Sequence, residues 1–146
     1  MKVQQVEAFS VKVRVWNPAM PEKVEEFDAR LDPHSTFTLI SRERLERVGI
    51  SPSRKMGFYL KRGDIVEEDV ASVYLEVDGS VVGDVVVMAY PEEEIIGAHT
   101  LNGLGVVADL TQKKLVPTVM WARSSLGFAV PEIGEKDSRP LVEAKS

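Results

Sequence analysis

Apolar and polar residues alternate at a period of two along much of this chain, and that limits the fold to one built from half-buried strands. In "AFSVKVRVW", Phe9, Val11, Val13 and Val15 alternate with Ser10, Lys12 and Arg14. Successive strand side chains point to opposite faces of a sheet, so one face is apolar and the other polar. "NPAMPEK" follows with two prolines and an asparagine, which predicts a turn. Phe27, Ala29 and Leu31 form the next alternating set, and they lead directly into Asp32. Beyond Pro33, His34 and Ser35, "TFTLI" reads as a further strand.

One or two short helices interrupt the strand pattern. Ser41 is placed to cap "RERLERV", with Leu45 and Val48 facing inward, Gly49 at its end and Pro52 beyond. Arg42, Arg44 and Arg47, interleaved with Glu43 and Glu46, read as a solvated helix face. "MGFYLKRGDIVEEDV" predicts a hairpin turning at Lys61, Arg62, Gly63 and Asp64. "VYLEVDGSVVGDVVVM" predicts another, because Asp78-Gly79 is a favoured two-residue turn. Ile95-Ile96-Gly97 ends a strand, "AHTLNGL" can form two helical turns closed by Gly105, and "VVADLTQKKLVP" is a third hairpin. "VMWARSSLGFAVP" reads as a further strand pair or arm.

The chain is 146 residues long, enough for one domain with a single core, and has neither an internal repeat nor a second domain. The C-terminal end has little to bury, which marks 131–146 as a mobile tail after a domain spanning 1–130. The net charge of −5 argues against a nucleic-acid partner, which would require a basic face. No apolar run is long enough to cross a bilayer, so no membrane partner is expected. The N-terminus "MKVQQVEAF" lacks the apolar core of a secretory signal, giving an expected cytoplasmic location. With no cysteine, disulfides, thiolate metal sites and cysteine nucleophiles are all excluded.

Taken alone, Asp32 reads as an ordinary turn opener before proline. The order of parts around it, however, resembles the retroviral-like (retropepsin-like) aspartic proteases and their small prokaryotic relatives. An apolar strand ending in Leu31-Asp32 stands where that family carries its catalytic aspartate. "STFTLISRERLERVGI" is similar to the family's following strand and short helix, and the hairpin around Arg62-Gly63-Asp64 lies where the family has its flap. "IIGAHTLNGLG" looks like the family's apolar-apolar-glycine signature and the helix after it. The resemblance runs over roughly residues 8 to 117.

This resemblance implies a mainly β fold, a closed barrel or sandwich with one or two short helices, assembled as a homodimer. It also implies an aspartic endopeptidase that needs no cofactor or metal, with Asp32 contributed by each subunit and a peptide or protein as substrate. Residues 58 to 66 would cover the cleft, with Phe58, Tyr59, Arg62, Gly63 and Asp64 as contacts. Ile95, Ile96 and Gly97 would support the site structurally. One departure falls at the chemistry itself. Where the family has aspartate, threonine or serine, then glycine, this chain has Asp32, Pro33 and His34. Proline offers neither a hydroxyl nor an N–H, and His34 puts a side chain where glycine gives the backbone freedom. Ser35 and Thr36 are candidate substitute hydroxyls. Three readings stay open: a working dyad in an altered loop, a non-catalytic dimer that binds a peptide or protein, and a new Asp32–His34 constellation for a metal or acid–base pair. His99 reads as a surface or helix-satisfied histidine. Asp28, Asp84 and Asp109 read as mostly solvated carboxylates, and Trp16, Trp121 and Phe58 as packing or interface aromatics.

Overall fold

A computed structural model describes residues 9–119 except 61, 91 and 92. The strand pair or arm expected over 119–131, the tail 131–146 and Trp121 therefore lie outside the described residues, apart from Val119. The described chain is mainly β, in the order β1 (Ser10–Asn17), β2 (Met20–Leu31), β3 (Leu39–Ser41), α1 (Arg42–Arg47), β4 (Arg54–Tyr59), β5 (Ile65–Val77), β6 (Ser80–Ala89), β7 (Ile95–Ile96), α2 (Ala98–Leu104), β8 (Val106–Asp109) and β9 (Lys114–Pro117).

The alternating sets become the core. Val13, Val15, Leu31, Leu75 and Val77 are buried, while Lys12, Arg14 and Arg30 between them stay exposed. Burying a side chain of this size contributes about 1.5–3 kcal/mol, so a one-residue slip of register would turn a whole face outward. The main sheet runs β1-β2-β7-β3-β6-β5-β4, and β1 also pairs with β5 through Val13–Trp16, so its pairings run in a circuit with β4 attached outside it. β8 and β9 form a separate two-stranded sheet.

Several elements differ from the sequence expectation. The turn expected over "NPAMPEK" is tighter, because β2 starts at Met20 and Pro21 lies within it. The register shifts from Trp16↔Val24 to Asn17↔Met20, and that irregularity accommodates a residue unable to donate to the ladder. "TFTLI" is strand only from Leu39 onward. The two middle hairpins share a single long strand: β5 pairs with β4 from Ile65 to Val70 and with β6 from Val70 to Val77. The Asp78-Gly79 turn takes positive φ at both residues, 53° and 85°, as a tight hairpin requires.

The helix face of α1 is not simply solvated. Arg44 lies over the Phe27 ring, 4.3 Å from its centroid, and donates to Glu94 at 2.6 and 2.8 Å and to Glu25 at 3.1 Å. Hydrogen bonding to Glu94 raises its pKa further, with Glu25 adding to the effect. Arg42 donates to Asp69 at 2.8 Å. At its other end the helix behaves as expected: Ser41 accepts from Arg44 N–H, and Gly49 follows with φ 79°.

Candidate active site around Asp32

The short strand β7 lies between β2 and β3, parallel to β2 and antiparallel to β3. The connection from β2 to β3 must therefore arch over the end of β7, and that arch carries Asp32. Leu31 pairs with Ile96, and Asp32 N–H donates to Ile96 O at 3.0 Å. Ser35 N–H then donates to Asp32 O at 3.0 Å, closing a turn with Pro33 and His34 at its centre. His34 N–H donates to Asp32 Oδ1 at 3.0 Å and orients the carboxylate.

Proline suits the second position of such a turn because its φ is already fixed. His34 is exposed, and it is not among the non-glycine residues with positive φ, which are Asp78 and Lys113 among the described residues. This turn therefore does not call on glycine's extra freedom. Ser35 Oγ donates to Phe37 O at 2.8 Å, so its hydroxyl is engaged within the loop, and Thr36 is exposed.

Gly97 fills the space beneath the arch. A Cβ there would lie 2.4 Å from Phe37 O and 2.6 Å from Ser35 O. With no side chain at Gly97, the loop can approach and cap α2. Ala98 N–H donates to Ser35 O at 2.7 Å and His99 N–H to Thr36 O at 2.8 Å. These are the orphan donors of a helix start, satisfied here by loop carbonyls rather than by a capping side chain.

Beside the arch lies a groove of about 280 Å³. Ser35, Thr36 and Phe37 form one wall, and Phe58, Tyr59 and Leu60 of the β4–β5 hairpin form the other. The Phe37 and Phe58 rings meet edge to face across it, with centroids 5.4 Å apart. Tyr59 is 80% exposed at the hairpin end. The tip is shaped by Leu60 N–H donating to Asp64 O, Gly63 N–H donating to Leu60 O, and an exposed Arg62–Asp64 pair at 3.0 Å. Arg62, Gly63, Asp64, Asp32, Pro33 and His34 stand outside the lining of this groove.

No family model matches the sequence, and no curated protein matches it. Among solved structures, the solution structure of simian foamy virus (mac) protease is similar at a TM-score of 0.49. It is 17% identical, and the match covers 64% of this chain and 92% of that one.

Sequence reasoning missed the polar network behind the loop. Asp84, expected to be solvated, has a side chain only 1% exposed. As a carboxylate it can only accept, so Thr100 Oγ donates to Asp84 Oδ2, Thr38 Oγ donates to Thr100, and Thr38 is left to accept Gly97 N–H at 2.9 Å. The other oxygen takes Val85 N–H at 2.8 Å and His99 Nδ1 at 2.7 Å. The His99 ring, half-exposed, stacks on Phe37 with centroids 5.4 Å apart. One buried carboxylate thus ties the β7–α2 junction, the loop strand and a wall of the groove together. A sequence signal existed, because Asp84 has the same parity on β6 as the buried Val86 and Met88. The run Val85-Val86-Val87 hides that alternation. Among the described residues no group of three or more His, Cys, Asp or Glu could hold a metal, and no helix is long and apolar enough to cross a membrane.

Proposed function

We propose that this chain is a retropepsin-like aspartic endopeptidase domain, a closed β-barrel acting as a homodimer on extended peptides, with Asp32 of each subunit forming the catalytic dyad. The domain spans residues 1–130, and 131–146 form a tail. The observation that carries this reading is the setting of Asp32. A carboxylate at a strand end is held by Asp32 N–H to Ile96 O and by His34 N–H to its own Oδ1, beside a groove that the β4–β5 hairpin walls on one side. Two such carboxylates brought together on a two-fold axis cannot both ionise cheaply. One keeps a proton while the other takes one from a bound water, which attacks the scissile carbonyl. The protonated partner hydrogen-bonds the developing oxyanion, and the pair then returns a proton to the leaving nitrogen. A peptide lying along the β4–β5 edge would be held by added-strand hydrogen bonds.

A second reading is favoured by Pro33. It has no hydroxyl or N–H with which to tie one active-site loop to its mate, so the fold and dimer can persist as a peptide- or protein-binding module without catalysis. Cleavage of an unfolded protein, followed from about pH 3 to pH 8, separates the two. Acid-favoured cleavage abolished by Asp32→Asn supports the peptidase. Peptide binding without cleavage at any pH leaves the binding module. A monomer by light scattering at micromolar protein refutes the dyad.

A further inference from the structure

We infer that the groove beside the Asp32 loop selects a peptide carrying a lysine or arginine side chain, whose cation is received by Glu68. The inference rests on the peptide-binding reading above and specifies its substrate class.

On β5, Val66 and Glu68 point to the same face, and their partners on β4 are Phe58 and Met56. Glu68 therefore enters a groove whose other walls include Phe37, Leu39, Phe58, Val66 and Val87. Among the described residues it is the one carboxylate lining that groove, and none of those lining it is cationic. Among the described residues Glu68 has no hydrogen-bond or ion-pair partner, whereas its neighbour Asp69 is held by both Arg42 and Lys55 at 2.8 Å. Glu68 also lines an adjoining depression of about 230 Å³ that carries Glu43 and Glu46 from α1. Arg42, the one arginine there among the described residues, is already paired with Asp69.

A groove lined mostly by apolar residues, with one unpaired carboxylate among them, matches one kind of side chain. Lysine and arginine lay an aliphatic stem along apolar surface while keeping the charged head in a polar setting. A purely apolar side chain would cover the same walls but leave Glu68 partly desolvated and unpaired, which is unfavourable. An acidic side chain would be repelled by three carboxylates.

The test uses the full chain and fluorescein-labelled alanine–valine octapeptides carrying one lysine, norleucine or glutamate at each position in turn, with binding read by fluorescence anisotropy at low salt. Lysine should bind about tenfold more tightly than norleucine at one position, and glutamate should bind most weakly. Glu68→Gln should reduce that lysine preference to about twofold or less, while Glu67→Gln, on the opposite face of β5, leaves it intact. Glu68→Lys should invert the preference toward glutamate. Peptides that bind with no lysine preference, or a preference that survives Glu68→Gln, overturn this inference alone. If no peptide binds, the peptide-binding reading beneath it fails as well.

Discussion

Replacing Gly97 with alanine tests the arch that carries Asp32. The added Cβ would stand 2.4 Å from Phe37 O, 2.6 Å from Ser35 O and 2.7 Å from Phe37 C, where ordinary contact begins at 3.4 Å. The loop backbone must retreat by about 1 Å, and a rigid carbonyl cannot swing aside as the end of a side chain would. Overpacking of this kind costs about 1–3 kcal/mol. The retreat also stretches the bonds from Gly97 N–H to Thr38 Oγ1 and from Ala98 and His99 N–H to Ser35 and Thr36 O, each worth about 1 kcal/mol. Stiffening the unfolded chain offsets about 0.4–1 kcal/mol. A net loss of about 3 kcal/mol would lower the urea midpoint by roughly 2 M for a slope of about 1.5 kcal/mol/M. Urea titration by circular dichroism measures this directly. Gly63→Ala is the control: its φ of 91° strains any side chain, but nothing lies within 4 Å of the new Cβ, so only about 1 kcal/mol is expected. If Gly97→Ala shifts the midpoint no further than Gly63→Ala, the close approach of loop to β7–α2 is refuted.

Asp84→Ala removes the acceptor of Thr100 Oγ, Val85 N–H and His99 Nδ1 from a buried site, and should cost about 2–4 kcal/mol by the same titration. Adding Thr100→Val should then cost less than its effect alone, since the two share one network; strict additivity would sink that linkage. Glu25 is held below the usual carboxylate range first by hydrogen bonds from Arg47 and then, against a smaller desolvation effect, by the charge of Arg47 and by Arg44. Its folded-state pKa thus lies below its unfolded one, so its stabilisation is complete above the unfolded value and is lost as pH falls through the folded one. The stability gap between wild type and Glu25→Gln should accordingly shrink between about pH 6 and pH 3, and a gap that does not change with pH contradicts the pairing.

Much of this was legible residue by residue. Val11, Val13 and Val15, and Phe27, Ala29 and Leu31, announced strands because the pleat repeats every two residues. Asp78-Gly79, Ser41 and Gly105 announced their turn, cap and helix end because each satisfies a local backbone requirement. Asp84 and Arg44 were misread for a shared reason. A carboxylate or guanidinium is normally solvated, and the partners that let these two sit inward arrive from distant segments: His99 and Thr100 for Asp84, Glu25 and Glu94 for Arg44. The same limit applied to Pro33 and His34. Their departure from the motif was plain, but the ease with which they complete a turn depended on backbone angles.

The sequence by itself determined that this chain is mainly β, with one or two short helices, an aspartate at a strand end and glycines at the turns, since each follows from short-range periodicity and local sterics. Only the tertiary structure decided that β7 slips between β2 and β3. That insertion places Ile96 O against Asp32 N–H, crowds Gly97 beneath Phe37 O and buries Asp84 behind the loop. Parallel pairing between segments more than sixty residues apart leaves no local trace, because its hydrogen bonds come from backbone groups that every residue carries.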